Sequence, residues 1–151
     1  MPNSSNLNRL LSMVVLLAVL WSIECQTGSY SGYTKKKQQC IQVNWIHKPK
    51  QVMAVGLTIH CGDSLVGSPE LEVIKIHPNY PYTVSKVSKK DRADFMRMAY
   101  DICKLDYLRQ YWNDMNTYYY DEGYTKIRVN FHDEVVNLTR GECPELVKNR
   151  M

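Results

Sequence analysis

The residues that could carry chemistry are few and scattered. Ser64 follows an apolar stretch in the step Gly62-Asp63-Ser64-Leu65, where a hydroxyl could act as a nucleophile if a base stood beside it. His47, His60, His77 and His132 are the available bases and metal ligands, and Asp101 is a carboxylate able to orient an imidazole. They fall in separate segments without paired-ligand spacing, and no C-x-x-C step occurs, so no metal and no cofactor is expected. Met96 and Met98 read as core filler. Aromatic polar rings stand above background: 11 tyrosines and 3 tryptophans, with Tyr107, Tyr111, Tyr118, Tyr119, Tyr120 and Tyr124 in one segment. Tyrosine supplies stiff contact area with a polar tip, which suits a binding surface, and the same rings can stabilise a sheet by cross-strand packing.

Short blocks resemble three known families. Gly62-Asp63-Ser64-Leu65 resembles the nucleophile block of the GDSL or SGNH hydrolases, which implies Ser64 as nucleophile, but no D-x-x-H pair follows it. Leu57-Thr58-Ile59-His60-Cys61, Ile76-His77-Pro78-Asn79-Tyr80 and Asp101-Ile102 resemble blocks of trypsin-like proteases. That likeness implies His60 as base and Asp101 as orienting acid, yet no G-D-S-G-G block supplies a nucleophile. Gln51-Val52-Met53-Ala54-Val55-Gly56 resembles the Q-x-V-x-G hairpin loop with which cystatins plug papain-like proteases, with one residue too many. A base without a nucleophile, or a serine without a base, performs no acyl transfer. The expectation is that the chain is not an enzyme.

The segments that position these residues begin with a leader. Leu10 to Trp21 is an apolar run too short to span a membrane and of the right length for a secretory signal, with cleavage expected near Cys25. Residues 1–25 are therefore expected to be a signal peptide, leaving no membrane span after cleavage. Residues 26–39, with Lys35-Lys36-Lys37, show no periodicity and read as a mobile basic lead-in. Residues 40–151 form one disulfide-stabilised domain. The net charge of +4 is modest and spread out, without a basic helix, so nucleic acid is not an expected partner.

Ser88 to about Asn116 is expected to be a long helix. Ser88-Lys89-Lys90-Asp91 is a start signal, and Phe95, Met98, Ala99, Ile102, Leu105, Leu108 and Trp112 recur at helical steps. Tyr118–Tyr120 suits a strand, and Asp121-Glu122-Gly123 a hairpin loop with Gly123 supplying a positive φ. The alternative carries the helix on to Gly123 as its C-cap. Strands are expected at Ile41–Trp45, Met53–Cys61, Leu71–His77 and Tyr124–Phe131, with Gly62–Glu70 and Pro78–Tyr82 as irregular links.

Without Cys25, four cysteines remain and allow three pairings. If the apolar rows of the first two strands share one face, Cys61 points into the core and Cys40 to the other side, since a one-residue slip flips every side chain. That parity favours Cys61 with Cys103 on the helix and Cys40 with Cys143. Asn137-Leu138-Thr139 is an acceptor for N-linked sugar. The expected class is α+β: an antiparallel sheet of about five strands with one long helix on one face and two disulfides. The expected function is non-catalytic binding of an extracellular protein or matrix component by a secreted chain. Tyr118, Tyr119, Tyr120 and Tyr124 form the expected contact surface. The alternatives are a structural component of an extracellular matrix or secretion, a cystatin-like inhibitor, and a degenerate trypsin-like or GDSL hydrolase relative.

Overall fold

A computed structural model describes residue 9 and residues 12–15, 27–36, 38–106 and 113–144. The expected signal segment lies almost wholly outside the described residues, as do Lys37, Tyr107, Leu108, Tyr111 and Trp112.

The strands are β1 (Gly28–Tyr33), β2 (Gln39–Lys48), β3 (Val52–Cys61), β4 (Ser64–Gly67), β5 (Leu71–Ile74), β6 (Tyr82–Val84), β7 (Thr117–Tyr120), β8 (Lys126–Phe131) and β9 (Glu134–Arg140), with helix α1 (Lys89–Cys103) between β6 and β7. Every pairing is antiparallel. Going round the sheet, β1, β2, β3, β5, β6, β7, β8 and β9 each pair with the next, and β9 pairs back with β1. The result is a closed eight-stranded barrel, with β4 as an extra strand on the far half of β3.

This corrects the expected open five-stranded sheet. Closure depends on β1, which was read as a mobile lead-in, because Gly28–Tyr33 pairs with β2 on one side and β9 on the other. A segment of glycine, serine and tyrosine carries no alternating apolar signal, and its partner Thr139 lies at the far end of the chain. Only three-dimensional closure removes both edges of such a sheet. The links Gly62–Glu70 and Pro78–Tyr82 likewise contain β4 and the start of β6, strands of four and three residues that are too short to show a period.

The first hairpin follows its pattern. Ile41 faces Ile59, Val43 faces Leu57 and Trp45 faces Val55, so the apolar rows point into the barrel together. Cys40 lies on the opposite parity and is bonded to Cys143, whereas Cys61, with inward parity, is bonded to Cys103 on α1. The Cα separations of 6.0 and 5.3 Å suit such bridges. Two disulfides are compatible with an extracellular location.

Helix α1 is shorter and turned relative to expectation. Lys104 adopts a left-handed conformation with its N–H directed to the carbonyls of Tyr100 and Asp101, which ends the helix at Cys103 rather than near Asn116. The buried side chains are Arg92, Phe95, Met96, Ala99 and Tyr100, while Met98 is 44% and Ile102 36% exposed. Arg92 and Tyr100 move the buried face because each has a polar partner inside. Arg92 Nη1 donates to the Asp114 carbonyl at 2.6 Å, and the Tyr100 hydroxyl donates to the Asp114 carboxylate at 2.6 Å. Ser88 does not cap the helix with its side chain. Its hydroxyl accepts the Glu72 N–H at 2.9 Å, which ties the start of α1 to β5. With Cys103 on Cys61 and Tyr100 against Phe131, the helix covers the barrel end where β3 and β8 finish.

The β1–β9 seam is tight. A Cβ on Gly32 would lie 2.3 Å from the Asn137 carbonyl oxygen, far inside contact distance. Gly32→Ala is expected to push this seam apart and cost about 2 kcal/mol, read as a lower urea midpoint. An unchanged midpoint would show that the seam carries little of the stability. The β8–β9 turn also escapes sequence reading, because His132 and Asp133 supply φ of 48° and 63° where Asn-Gly would be the usual signal.

Candidate functional site

The barrel end opposite α1 is built from rings. Strands β2 and β8 have opposite ends here: β2 arrives with Trp45, and β8 departs just after the turn that follows Tyr120. On β7 the alternation expected of a strand holds. Tyr118 points inward and is fully buried, its hydroxyl donating to the Met115 carbonyl at 2.9 Å. Tyr119 points outward, 42% exposed, with the Arg128 guanidinium 5.5 Å from its ring centre. Tyr120 points inward again, onto Trp45. So Tyr118, Tyr120 and Tyr124 of the expected contact surface meet in one cluster, and Tyr119 turns to the outer face while lining the same pocket as the other three. Tyr118 is too deep and too well bonded to touch a macromolecule.

The cluster also recruits rings the sequence did not single out. Trp45 packs edge-to-face on Tyr82 at 5.0 Å, on Tyr120 at 4.9 Å and on Tyr118 at 5.9 Å between centres. Tyr30 meets Tyr120 at 6.1 Å, and Tyr124 lies 5.1 Å from Tyr120. Edge-to-face pairs set the positive rim of one ring on the negative face of the next, so the cluster is stiff as well as apolar. Tyr30 was hidden in a segment without periodicity and Tyr82 in a proline-rich link. Trp45 was legible only as one member of an alternating row.

The turn between β7 and β8 holds Tyr124 in place. The Asp121 carboxylate accepts the Thr125 N–H at 2.7 Å, the Lys126 N–H at 2.9 Å and the Thr125 hydroxyl, and the hydroxyl bond leads in holding its pKa below the usual carboxylate value. This aspartate-centred turn places the positive φ at Tyr124, 50°, and not at Gly123 as expected. Tyr30 then locks the turn to β1, its hydroxyl donating to the Tyr124 carbonyl at 2.8 Å.

Between this turn and the link 78–81 lies a pocket of about 380 Å³, lined by Tyr80, Tyr82, Tyr119, Tyr120 and Tyr124 and by two bases, Lys75 and Arg128, and two carboxylates, Asp121 and Glu122. The Tyr120 hydroxyl is buried without a hydrogen-bond partner, as is the Trp45 indole N–H behind it. Burial, more than the neighbouring phenols, pushes the Tyr120 phenol far above its ordinary pKa, and burial also raises Tyr82. These rings are neutral across the physiological range. They supply ring faces to the wall of the pocket.

His60 and Ser64, the base and the nucleophile that the hydrolase likenesses imply, do not converge. On the β3–β4 hairpin His60 faces Leu65 and Cys61 faces Ser64, so His60 and Ser64 project to opposite sides of the sheet. Asp101 is exposed on α1. The cystatin-like block lies mostly within β3, with Met53, Ala54 and Val55 buried and paired to β2, so it presents no free loop tip. Among the described residues no group of three potential ligands could hold a metal ion, and no helix is long and apolar enough to cross a membrane. Asn137 is exposed on β9 opposite Arg128. No family model matches the chain, and neither the curated proteins nor the solved structures contain a significant match.

Proposed function

We propose that this chain is an exported, non-enzymatic binding protein that holds a small ligand in the tyrosine-walled mouth of its barrel. The observation that carries the reading is the pocket of about 380 Å³ walled by Tyr80, Tyr82, Tyr120 and Tyr124. Eight-stranded barrels are just wide enough to fill with side chains or to accept one small molecule. Here the apolar interior is filled by side chains, and the tyrosine-lined space opens at the mouth. Concave sites with apolar walls and a few placed polar groups are where small molecules bind. Export is supported by the leader-like run Leu10–Trp21 and by the two disulfides. The reading refines the expected extracellular partner: with Tyr118 buried and Tyr120 turned inward, the hairpin offers a macromolecule only Tyr119 as a fully outward ring.

Titration with the neutral probe N-phenyl-1-naphthylamine tests it. Its fluorescence is expected to rise saturably at one site per chain. The Tyr80→Ala/Tyr124→Ala variant, which strips two rim rings outside the main core, is expected to weaken binding about tenfold. Equal binding by the variant and the wild type would place the site elsewhere.

A further inference from the structure

Resting only on the export half of that reading, we infer that Asn137 carries an N-linked glycan on the outer wall of the barrel, beside the mouth. The acceptor step Asn137-Leu138-Thr139 lies inside β9. Alternate side chains of a strand point to opposite faces, so the acceptor amide and the threonine hydroxyl two residues on share one side. Leu138 between them is fully buried in the barrel, while Asn137 and Thr139 are both exposed. A sugar on the Asn137 Nδ2 therefore extends into water, and the buried leucine keeps the strand in place beneath it. A register one residue different would have turned the acceptor into the core. The other match to the acceptor pattern, Asn3-Ser4-Ser5, falls inside the expected leader.

The register places this sugar at the level of the mouth. Asn137 faces Arg128 on β8, and Tyr119 on β7 faces Arg128 from the other side. All three side chains are exposed, and Arg128 and Tyr119 also line the pocket. At the usual spacing of paired strands the sugar is rooted roughly 5 Å from Arg128 and roughly 10 Å from Tyr119. A bulky, hydrated oligosaccharide there shields the outward Tyr119 from macromolecules and leaves the inward wall of the pocket to a small ligand. The group that adds it is the oligosaccharyl transferase of the secretory compartment, with a lipid-linked oligosaccharide as co-reactant. A bond forms between the Asn137 Nδ2 and the anomeric carbon of the first N-acetylglucosamine. The bond from that carbon to the lipid diphosphate oxygen breaks, the lipid diphosphate leaves with the electron pair, and Nδ2 gives up one proton. Strand β9 is hydrogen-bonded to β8 and to β1, so transfer precedes closure of the barrel, and the finished sugar points away from the ladder.

Expression of the full chain, with its own leader, in cultured eukaryotic cells tests the inference. Protein from the medium is treated with a peptide-N-glycosidase in heavy-oxygen water, which leaves a labelled aspartate wherever a sugar is removed. The wild type is expected to drop in mass and to carry the label at position 137. Asn137→Gln and Thr139→Ala should lose the drop, and Thr139→Ser, which keeps the hydroxyl, should retain it. The label in the wild type decides the question without any variant. A secreted wild type without label at position 137 overturns the inference, as does a mass drop of the same size in Asn137→Gln; both leave export and the ligand reading standing. A chain held unlabelled in the cytosol overturns the inference together with the export reading. Naphthylamine binding reads the mouth separately, so failure of the sugar and failure of the ligand site are told apart.

Discussion

Replacing Cys40 and Cys143 together by alanine will lower stability by about 5 kcal/mol on the chain-entropy relation for a closed loop of this length, whereas Cys61→Ala/Cys103→Ala will cost about 4 kcal/mol. The sequence separations are 103 and 42 residues, and the logarithm makes the longer loop only slightly more valuable. The bridges differ more in what they hold. Cys40–Cys143 pins the chain after β9 to β2, across β1, and Cys143 N–H also donates to the Gln42 side-chain oxygen at 2.9 Å. Its loss frees the C-terminal side of the barrel seam. Cys61–Cys103 fastens the end of α1 to the end of β3, so its loss loosens the helix across the barrel end while the mouth stays intact. Urea unfolding of the two double variants checks the order. Hydrogen exchange should show fraying in β1 and β9 for the first and in α1 for the second. A larger loss from the 61–103 pair would mean that helix docking, and not loop closure, dominates.

The second large effect is expected at Asp114. This buried carboxylate accepts the Tyr100 hydroxyl at 2.6 Å and the His132 backbone N–H at 2.9 Å, and its carbonyl takes the buried Arg92. It joins α1 to the β8–β9 turn. Asp114→Ala strands two buried donors and is expected to cost about 3 kcal/mol, against about 1 kcal/mol for Tyr100→Phe, which removes one partner and leaves the aspartate another. Burial raises the Asp114 pKa above its ordinary value despite the opposing hydrogen bond from Tyr100. In the folded state the carboxyl therefore keeps its proton to higher pH than in the unfolded chain. By linkage its contribution is greatest below the unfolded value near 3.8 and declines as pH rises through the folded value. The stability gap between wild type and Asp114→Asn should accordingly shrink from about pH 3 towards pH 7. A gap that grows with pH would mean that the hydrogen bonds outweigh desolvation and hold the ionised form.

Much of the local structure was legible. The alternation in Ile41–Trp45 and in Met53–Cys61 gave both strands and their shared face, and from that face followed the side to which Cys40 and Cys61 project. Tyr118–Tyr120 read as a strand and is one. The helix was legible in its start region and misjudged in its length and rotation. Its buried face carries Arg92 and Tyr100, and a hydrophobicity pattern assigns polar residues to water unless a buried partner is known. Of the mouth, the tyrosines of β7 and its turn were visible as a composition bias. Their direction was not, because the positive φ sits on Tyr124 and the ring partners Tyr30, Trp45 and Tyr82 come from distant segments.

The amino-acid order by itself determined the inward rows of the longer strands, the helical run after Ser88, the parity of the cysteines and the concentration of tyrosine. These are properties of near neighbours, governed by the two-residue and 3.6-residue repeats. Tertiary structure alone decided that the sheet closes, that the helix covers one end and that the tyrosines gather at the other. Closure rests on β1 meeting β9 across more than a hundred residues, through backbone hydrogen bonds that carry no side-chain signature. A pairing made by atoms common to every residue leaves no mark in the sequence that makes it.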